Sequence, residues 1–322
     1  MRALLIVNPH ATSTTRLRRD VIARALASAV ELEIVETRYR GHGTSLAADA
    51  AFAGYGLVIT LGGDGTVNEA VNDLLRPSRP PAAPPALAAL PGGSANVFAR
   101  ALGLAPDPVD ATGQVLSALA AGRFRSIGLG LADDRYFTFN SGMGLDAEVV
   151  RAVEGRRAHG RSVSPALYMR MAGRQFWRLT DRRTPAMHLG SPAPEDPAPQ
   201  DAAPEDADGT PLFWCTVSNT SPWTYVGRRP VQTNPEASFD AGLDVFGLRS
   251  LSTPRTLSTL RQMLSARQAG PPRGRGVVTA HNLTMLTLTA DRPVAFQIDG
   301  EYVGERERVS FRSVPDALRV VM

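Results

Sequence analysis

The stretch LVITLGGDGTVNEAVNDL, residues 57–74, decides the fold of this chain. It opens with a short apolar run rich in β-branched side chains, which marks a buried strand. A glycine-rich turn follows, and from Val67 onward the apolar residues recur at helical spacing. Working outward, the same order repeats. Residues 3–7 (ALLIV) form a strand and Leu17, Val21, Ile22, Ala25 and Leu26 fall on one helical face; residues 31–37 give a second strand and 44–52 a second helix. Beyond a proline-rich connector at 76–85, ALAAL at 86–90 and a helical stretch beginning near Asn96 add another unit. Strand and helix in strict alternation predict an α/β domain of Rossmann-like type, a parallel sheet covered by helices, with ligands at the carboxyl ends of the strands.

After about residue 126 the pattern becomes one of short alternating strands (SIGLGLA, YFTFNSG, LFWCTVSN, DVFGL, NLTMLTLTA, VAFQIDG, RVSFR) with one clear helix around 255–265. This predicts a second, mostly antiparallel domain. The expected boundaries are 1–125 for the first domain, with 312–322 returning to it, and 126–311 for the second. Residues 191–211, acidic and rich in Pro and Ala, are expected to form a mobile loop.

Composition removes whole classes of function. All 35 of the Lys+Arg residues are arginine. A P-loop enzyme needs its phosphate-binding lysine and a pyridoxal enzyme its Schiff-base lysine, so neither can be built here. The single cysteine, Cys215, excludes an intrachain disulfide and a cysteine metal cluster, and its apolar neighbours LFWCTV place it in a core. No apolar run is long enough to cross a bilayer, and the start MRALLIVNPH is too short for a signal sequence, which predicts a cytoplasmic protein. The formal charge is +4, and with six acids gathered in the 191–211 stretch the remainder is strongly basic, which suits nucleotides, anionic lipid surfaces or nucleic acid.

Three glycine-rich turns follow apolar strands in the first domain: VNPHATS, LGGDGTVNEAVNDL and LPGGSANVFARALGL. All three point to one edge of the sheet. Glycine lets backbone approach a polyphosphate, a following helix offers free N–H groups, and Thr12, Thr66 and Ser94 add hydroxyl donors. The second domain offers carboxylates in QIDGEYV, where Asp299 and Glu301 are two apart. A hairpin turn with a solvated glutamate is the alternative reading there.

Taken together, Asn8-Pro9, GGDGTVNE at 62–69, PGGSANVFAR at 91–100, GMGLDAEV at 142–149 and QIDGEYV at 297–303 resemble a bacterial member of the lipid kinase family that shares the diacylglycerol kinase catalytic domain, relatives of sphingosine and ceramide kinases. The resemblance implies a two-domain architecture of the NAD kinase and diacylglycerol kinase kind, its second domain β-sandwich-like, with ATP and Mg2+. It implies nucleotide contacts at Asn8, Pro9, His10, Ala11, Thr12, Thr37, Gly62, Gly63, Asp64, Gly65, Thr66, Asn68, Glu69, Gly93, Ser94 and Asn96. Ser94 stands where the family usually has threonine. Asp64 would bind magnesium or orient the acceptor hydroxyl, with helix capping as its competing role. Either Glu301 or Asp299 would take the proton of the substrate hydroxyl, with Glu301 ranked first. Asp146 and Glu148 match the region that meets a lipid headgroup in sphingosine kinases, with plain solvated carboxylates as the alternative reading. Asp240 matches a structural magnesium ligand, although Ala237 replaces the companion aspartate.

The expected function is therefore an ATP- and Mg2+-dependent kinase of a membrane lipid, diacylglycerol or a related glycerolipid or sphingoid. An NAD kinase-like enzyme and a non-catalytic lipid-binding or regulatory protein on the same fold are the alternatives. Residues 151–183 carry nine arginines beside Leu167, Tyr168, Met169, Met171, Phe176, Trp177 and Leu179. They suit peripheral docking on an anionic membrane, at its inner face, and equally an amphipathic helix covering the second domain. Nucleic acid is not expected, since no nucleic-acid signature accompanies them. The sequence carries no mark of oligomeric state, and a homodimer stays open.

Overall fold

Alternating strands and helices fill the first third of the chain in the computed structural model, which describes all residues except 13, 40, 77–83, 159–164, 180, 182, 191–208 and 266–269. The expected mobile acidic loop lies almost wholly outside the described residues. Two units emerge: Met1–Gly128 with Asp316–Met322, and Leu129–Pro315.

In the first unit β1 (Arg2–Val7), β2 (Glu31–Glu36), β3 (Leu57–Gly62) and β4 (Ala86–Pro91) are all parallel, in the order β4-β3-β1-β2. β3 and β4 are buried at every position, as continuous apolar runs demand when helices cover both faces of a sheet. The edge strand β2 alternates polar residues and stays largely exposed. The helices are α1 (Arg16–Ala27), α2 (His42–Phe52), α3 (Asp64–Leu74), α4 (Val97–Ala101) and α5 (Pro108–Ala120). α1 starts on Thr15, whose hydroxyl accepts from Arg18 N, and α5 on Asp107, whose carboxylate accepts from Val109 N at 2.8 Å with Pro108 as first helical residue. The helical stretch expected after β4 is thus two helices. Gly103, at φ +82, ends the first, and the Asp107-Pro108 pair starts the second.

The second unit contains β5 (Phe124–Ala132), β6 (Arg135–Phe137), β7 (Asn140–Gly144), α6 (Leu145–Ala158), α7 (Pro165–Arg174) running into a π-helical turn (Gln175–Leu179), β8 (Met187–Gly190), β9 (Thr210–Leu212), β10 (Trp214–Ser218), β11 (Thr224–Val226), β12 (Arg229–Val231), β13 (Leu243–Leu248), α8 (Thr253–Met263), β14 (Val277–Leu283), β15 (Met285–Ile298) and β16 (Glu301–Val321). The first residues of β5 and the last of β16 belong to the first unit, where Val320 pairs with Leu87 of β4.

Strands β14-β13-β10-β7-β15-β16 run antiparallel in that order. β15 shifts register against β16 between Thr289 and Val294, and such an irregularity bends a strand. Its first half pairs with β8 and its second with β7. The inner faces meet in a core of Phe137, Leu189, Val217, Val245, Leu288, Phe296, Val309 and Phe311, with Phe311 edge-on to both Phe137 and Phe296 at 6.2 and 6.3 Å. Cys215 lies in this core, and burial pushes its thiol up to about 12. A second apolar cluster joins α6 through Leu145, Val149 and Val153 to Trp214, Phe246 and Met263.

Candidate active site

In the first unit the turns after β1, β3 and β4 lie at the carboxyl edge of the sheet, because the three strands are parallel neighbours. The turns extend the ladder: Asn8 N donates to Leu61 O at 2.9 Å and Gly92 N to Gly62 O at 2.7 Å. Their packing leaves no room for side chains. A Cβ on Gly93 would stand 2.5 Å from Gly63 Cα, one on Gly62 2.6 Å from Thr66 Oγ1, and one on Gly92 2.9 Å from Gly62 N and Thr14 Oγ1. Glycine is required at 92 and 93 by contact with the neighbouring turn, and at 62 by Thr66 of its own turn, rather than by backbone conformation.

Two side chains lock the arrangement. Asn96, in the left-handed region at φ +49, accepts from Gly93 N at 2.8 Å and donates to Gly93 O at 2.9 Å. Asp64, the first residue of α3, accepts from Val97 N and Phe98 N at 3.1 Å each. Its carboxylate therefore caps α4, a helix other than its own, and stitches the second glycine turn to the third. Asn8 Nδ2 reaches Thr66 Oγ1 at 3.4 Å, and His10 N donates to Asn8 Oδ1 at 3.0 Å.

Pro9, His10, Thr12 and Ser94 are exposed along this edge, and Asn8, Ala11, Gly63, Asp64, Gly65 and Gly93 are half-buried. Thr37 follows β2, its N–H on Val7 O at 2.8 Å. Two expected contacts stand behind the turns instead. Asn68 is fully buried and takes a hydrogen bond from Asn72 within α3. The Glu69 carboxylate accepts from Gly41 N at 2.7 Å and Gly43 N at 3.1 Å, holding the start of α2.

Thr14 is a neighbour of these turns that the sequence did not single out. Thr14 Oγ1 is buried beside Gly92 and has no hydrogen-bond partner among the described residues. A cradle that a Cβ would fill, bordered by an orphaned hydroxyl, fits the phosphates of a nucleotide. In sequence, only its place in the hydroxyl-rich run TSTT hints at it.

In the second unit β15 and β16 are joined by the two-residue turn Asp299-Gly300, with φ +48 and +74. Positive φ at both positions is the mark of a type I′ hairpin. Asp299 is 4% exposed and both of its oxygens are engaged: Thr138 N at 2.7 Å, Thr138 Oγ1 at 2.9 Å, Phe139 N at 3.0 Å and Asn140 N at 3.2 Å. That carboxylate anchors the turn to the chain before β7. Glu301, next along, keeps some access to solvent and pairs with Arg135 Nη2 at 3.1 Å. The two candidate bases differ in their surroundings: Asp299 accepts from three backbone amides and a hydroxyl, while Glu301 pairs with a guanidinium. Arg135, in the β5-β6 hairpin, was not read from the sequence.

Asp146, in the first turn of α6, is buried. Burial pushes its carboxyl up to about 7, against hydrogen bonds from Gln297 and Trp223 that pull it down. Gln297 Nε2 lies 2.9 Å from Asp146 Oδ2. Glu148, in the same first turn of α6, accepts from Gln175 Nε2 at 3.0 Å. Asp240 sits exposed before β13, and Ala237 is buried behind it. Among the described residues no three His, Cys, Asp or Glu side chains gather as a metal site. A nucleotide-borne magnesium needs no such cage, since it keeps waters and phosphate oxygens as most of its ligands.

Comparison with known proteins agrees with this geometry. Residues 2–131 match the family described as diacylglycerol kinase catalytic domain. The chain is 34% identical over 148 residues to a probable lipid kinase YegS-like of Chromohalobacter salexigens, covering 46% of this chain and 45% of that protein. It is 33% identical over 160 residues to a diacylglycerol kinase of Bacillus subtilis, covering 48% of this chain and 50% of that protein. In each case the match spans about half the length of the relative. A crystal structure of a diacylglycerol kinase from Bacillus anthracis str. Sterne aligns over 99% of this chain and 96% of that one, with a TM-score of 0.66 at 18% identity. A further crystal structure from the same strain reaches 0.72 at 19% identity over the same shares. At such identities the likeness establishes the fold, through both units.

Proposed function

We propose that this protein is an ATP- and Mg2+-dependent lipid kinase, transferring the γ-phosphate of ATP to the hydroxyl of diacylglycerol or a related glycerolipid or sphingoid. The observation that carries the reading is the set of interlocked glycine turns, in which Gly62, Gly92 and Gly93 have no room for a Cβ, within the span that matches the diacylglycerol kinase catalytic domain.

Phosphoryl transfer asks mainly for positioning and for neutralisation of spreading charge. The chain has no lysine, so backbone amides at the starts of the turns and helices, the hydroxyls of Thr12, Thr14, Thr66 and Ser94, and arginine do this work. Magnesium would supply the remaining charge neutralisation at the phosphates. Asp64 acts on the nucleotide through the turns it ties together. At the acceptor, Glu301 takes the hydroxyl proton as the new O–P bond forms and the bond to the leaving ADP breaks. Asp299, its acceptor sites filled, holds the turn that carries Glu301. Asp146, closed off by Gln297 and Trp223, supports that region from below, with Glu148 nearer the substrate.

No described helix is long and apolar enough to cross a membrane. Trp177 on the π-helical turn is 53% exposed, and Arg170 and Arg174 beside it are exposed as well. This pairing suits docking at an anionic bilayer surface, an interfacial tryptophan with arginines around it, on the cytoplasmic side where ATP is present.

The test is incubation of the purified chain with labelled ATP, Mg2+ and a panel of lipids in mixed micelles, with NAD as a separate acceptor. Labelled lipid that disappears on chelation of magnesium is the expected product. Label on NAD, or none on any acceptor, overturns the proposal.

A further inference from the structure

Gln297 has been given no role in the reaction so far, yet it ties two parts of the second unit together. It lies on β15, two residues before Asp299, and is 1% exposed. Its Oε1 accepts from Gly300 N at 2.8 Å. Its Nε2 donates to Asn140 Oδ1 and to Asp146 Oδ2, each at 2.9 Å. The orientation of the amide is set by backbone groups at both ends. Gly300 N can only donate, and Asn140 Nδ2 is committed to the Trp223 carbonyl at 2.8 Å, which leaves Asn140 Oδ1 as the acceptor. The buried amide therefore has both of its hydrogens and its oxygen engaged, with no alternative arrangement of equal quality.

What it holds is the turn that delivers Glu301. Ile298 and Glu301 face each other across the hairpin, so a shift of Asp299-Gly300 moves Glu301 directly. The turn contains a non-glycine residue at φ +48, a conformation that persists where its surroundings enforce it. Asp299 anchors one side of the turn to residues 138–140, and Gln297 anchors the other through Gly300. Even Gly142 belongs to the arrangement: a Cβ there would stand 2.7 Å from Asp146 Oδ2 and 3.1 Å from Gln297 Nε2. Asn140, Gly142, Asp146 and Gln297 thus form one closed polar layer beneath the turn.

We propose that Gln297 is a positioning residue that fixes Glu301 by holding the Asp299-Gly300 turn against the buried Asn140 and Asp146 side chains; its bearing on rate rests on the lipid kinase reading above. A catalytic group displaced by about an ångström loses about 100-fold in rate. Gln297→Met keeps length and removes every hydrogen bond. It is expected to lower kcat by about 100-fold while the KM for ATP stays within about twofold, because the nucleotide turns belong to the other unit. In a Glu301→Gln background the same change is expected to add nothing, since Gln297 acts through Glu301. Exchange of the Gly300 amide, followed by NMR, is expected to quicken by about tenfold, the size of one lost hydrogen bond.

Unchanged kcat in Gln297→Met, losses that multiply in the Glu301→Gln background, or Gly300 exchange indifferent to the substitution would each overturn the positioning role. Failure of the wild-type chain to phosphorylate any lipid overturns the kinase reading instead, and the amide exchange still decides whether the turn is held as described. Should Gln297→Met not fold, Gln297→Glu decides the question. It keeps the acceptor for Gly300 N, so Gly300 is expected to stay protected, and a loss of that protection counts against the proposal.

Discussion

Replacing Asp146 by asparagine should remove a pH dependence of stability that the wild-type chain carries in its second unit. Burial lifts this carboxyl from 3.8 to about 7. Between those values the folded state holds a proton that the unfolded state has released, so stability falls as pH rises. The contribution is fully present below pH 3.8 and is lost as pH passes about 7, at about 1.4 kcal/mol per pH unit and on the order of 4 kcal/mol in all. The asparagine variant cannot ionise at this position and escapes the loss. Any mismatch between its amide and the surrounding donors shifts stability equally at all pH values.

All three tryptophans, Trp177, Trp214 and Trp223, lie in the second unit, so urea unfolding followed by tryptophan fluorescence reports on the unit that contains Asp146. Asp244, raised by burial, and His188, raised by its bond to Asp291, titrate in both proteins and cancel in the difference. The stability of the variant minus that of wild type should grow by on the order of 4 kcal/mol between about pH 4 and about pH 8. A difference that stays flat across that range would refute a buried, proton-holding Asp146.

Asp299→Ala removes the acceptor from three backbone amides and one hydroxyl, and should destabilise the second unit by at least about 3 kcal/mol in the same fluorescence assay. Gly93→Ala places a methyl 2.5 Å from Gly63 Cα; the turns must part, at about 1–3 kcal/mol, and calorimetric ATP affinity should fall at least about tenfold, or about 1.4 kcal/mol. In Asp64→Asn one of the two amides capped by the carboxylate meets an NH2 group, so the first unit should lose about 1–3 kcal/mol, read by circular dichroism, along with its activity.

How much of this was legible in the sequence differs by level. The parallel sheet showed itself because strands covered on both faces must be apolar throughout, as ALLIV, LVIT and ALAAL are. The break between α4 and α5 was missed, although Gly103 and Asp107-Pro108 mark it. Gly92 and Gly93 stood out for a physical reason, since the neighbouring turn excludes a Cβ there. Asn68 and Glu69 belong to the GGDGTVNE motif, and what the motif could not show is their packing: successive helical residues point about 100° apart, and these two side chains bond within α3 and to the start of α2. Thr14 and Gln297 were silent for another reason. Their significance lies in partners distant in sequence: Gly92 for Thr14, and Asn140 and Asp146 for Gln297.

The central claim is that Glu301 takes the proton of a lipid hydroxyl while the glycine turns hold ATP. It is tested most directly by comparing wild type and Glu301→Gln for transfer of labelled phosphate from ATP to diacylglycerol, with ATP binding measured on both proteins. Labelled lipid from wild type is expected, with a kcat lower by about 100- to 10,000-fold in the variant and equal ATP affinity. Full turnover by Glu301→Gln, or a loss explained entirely by weaker ATP binding, would contradict it.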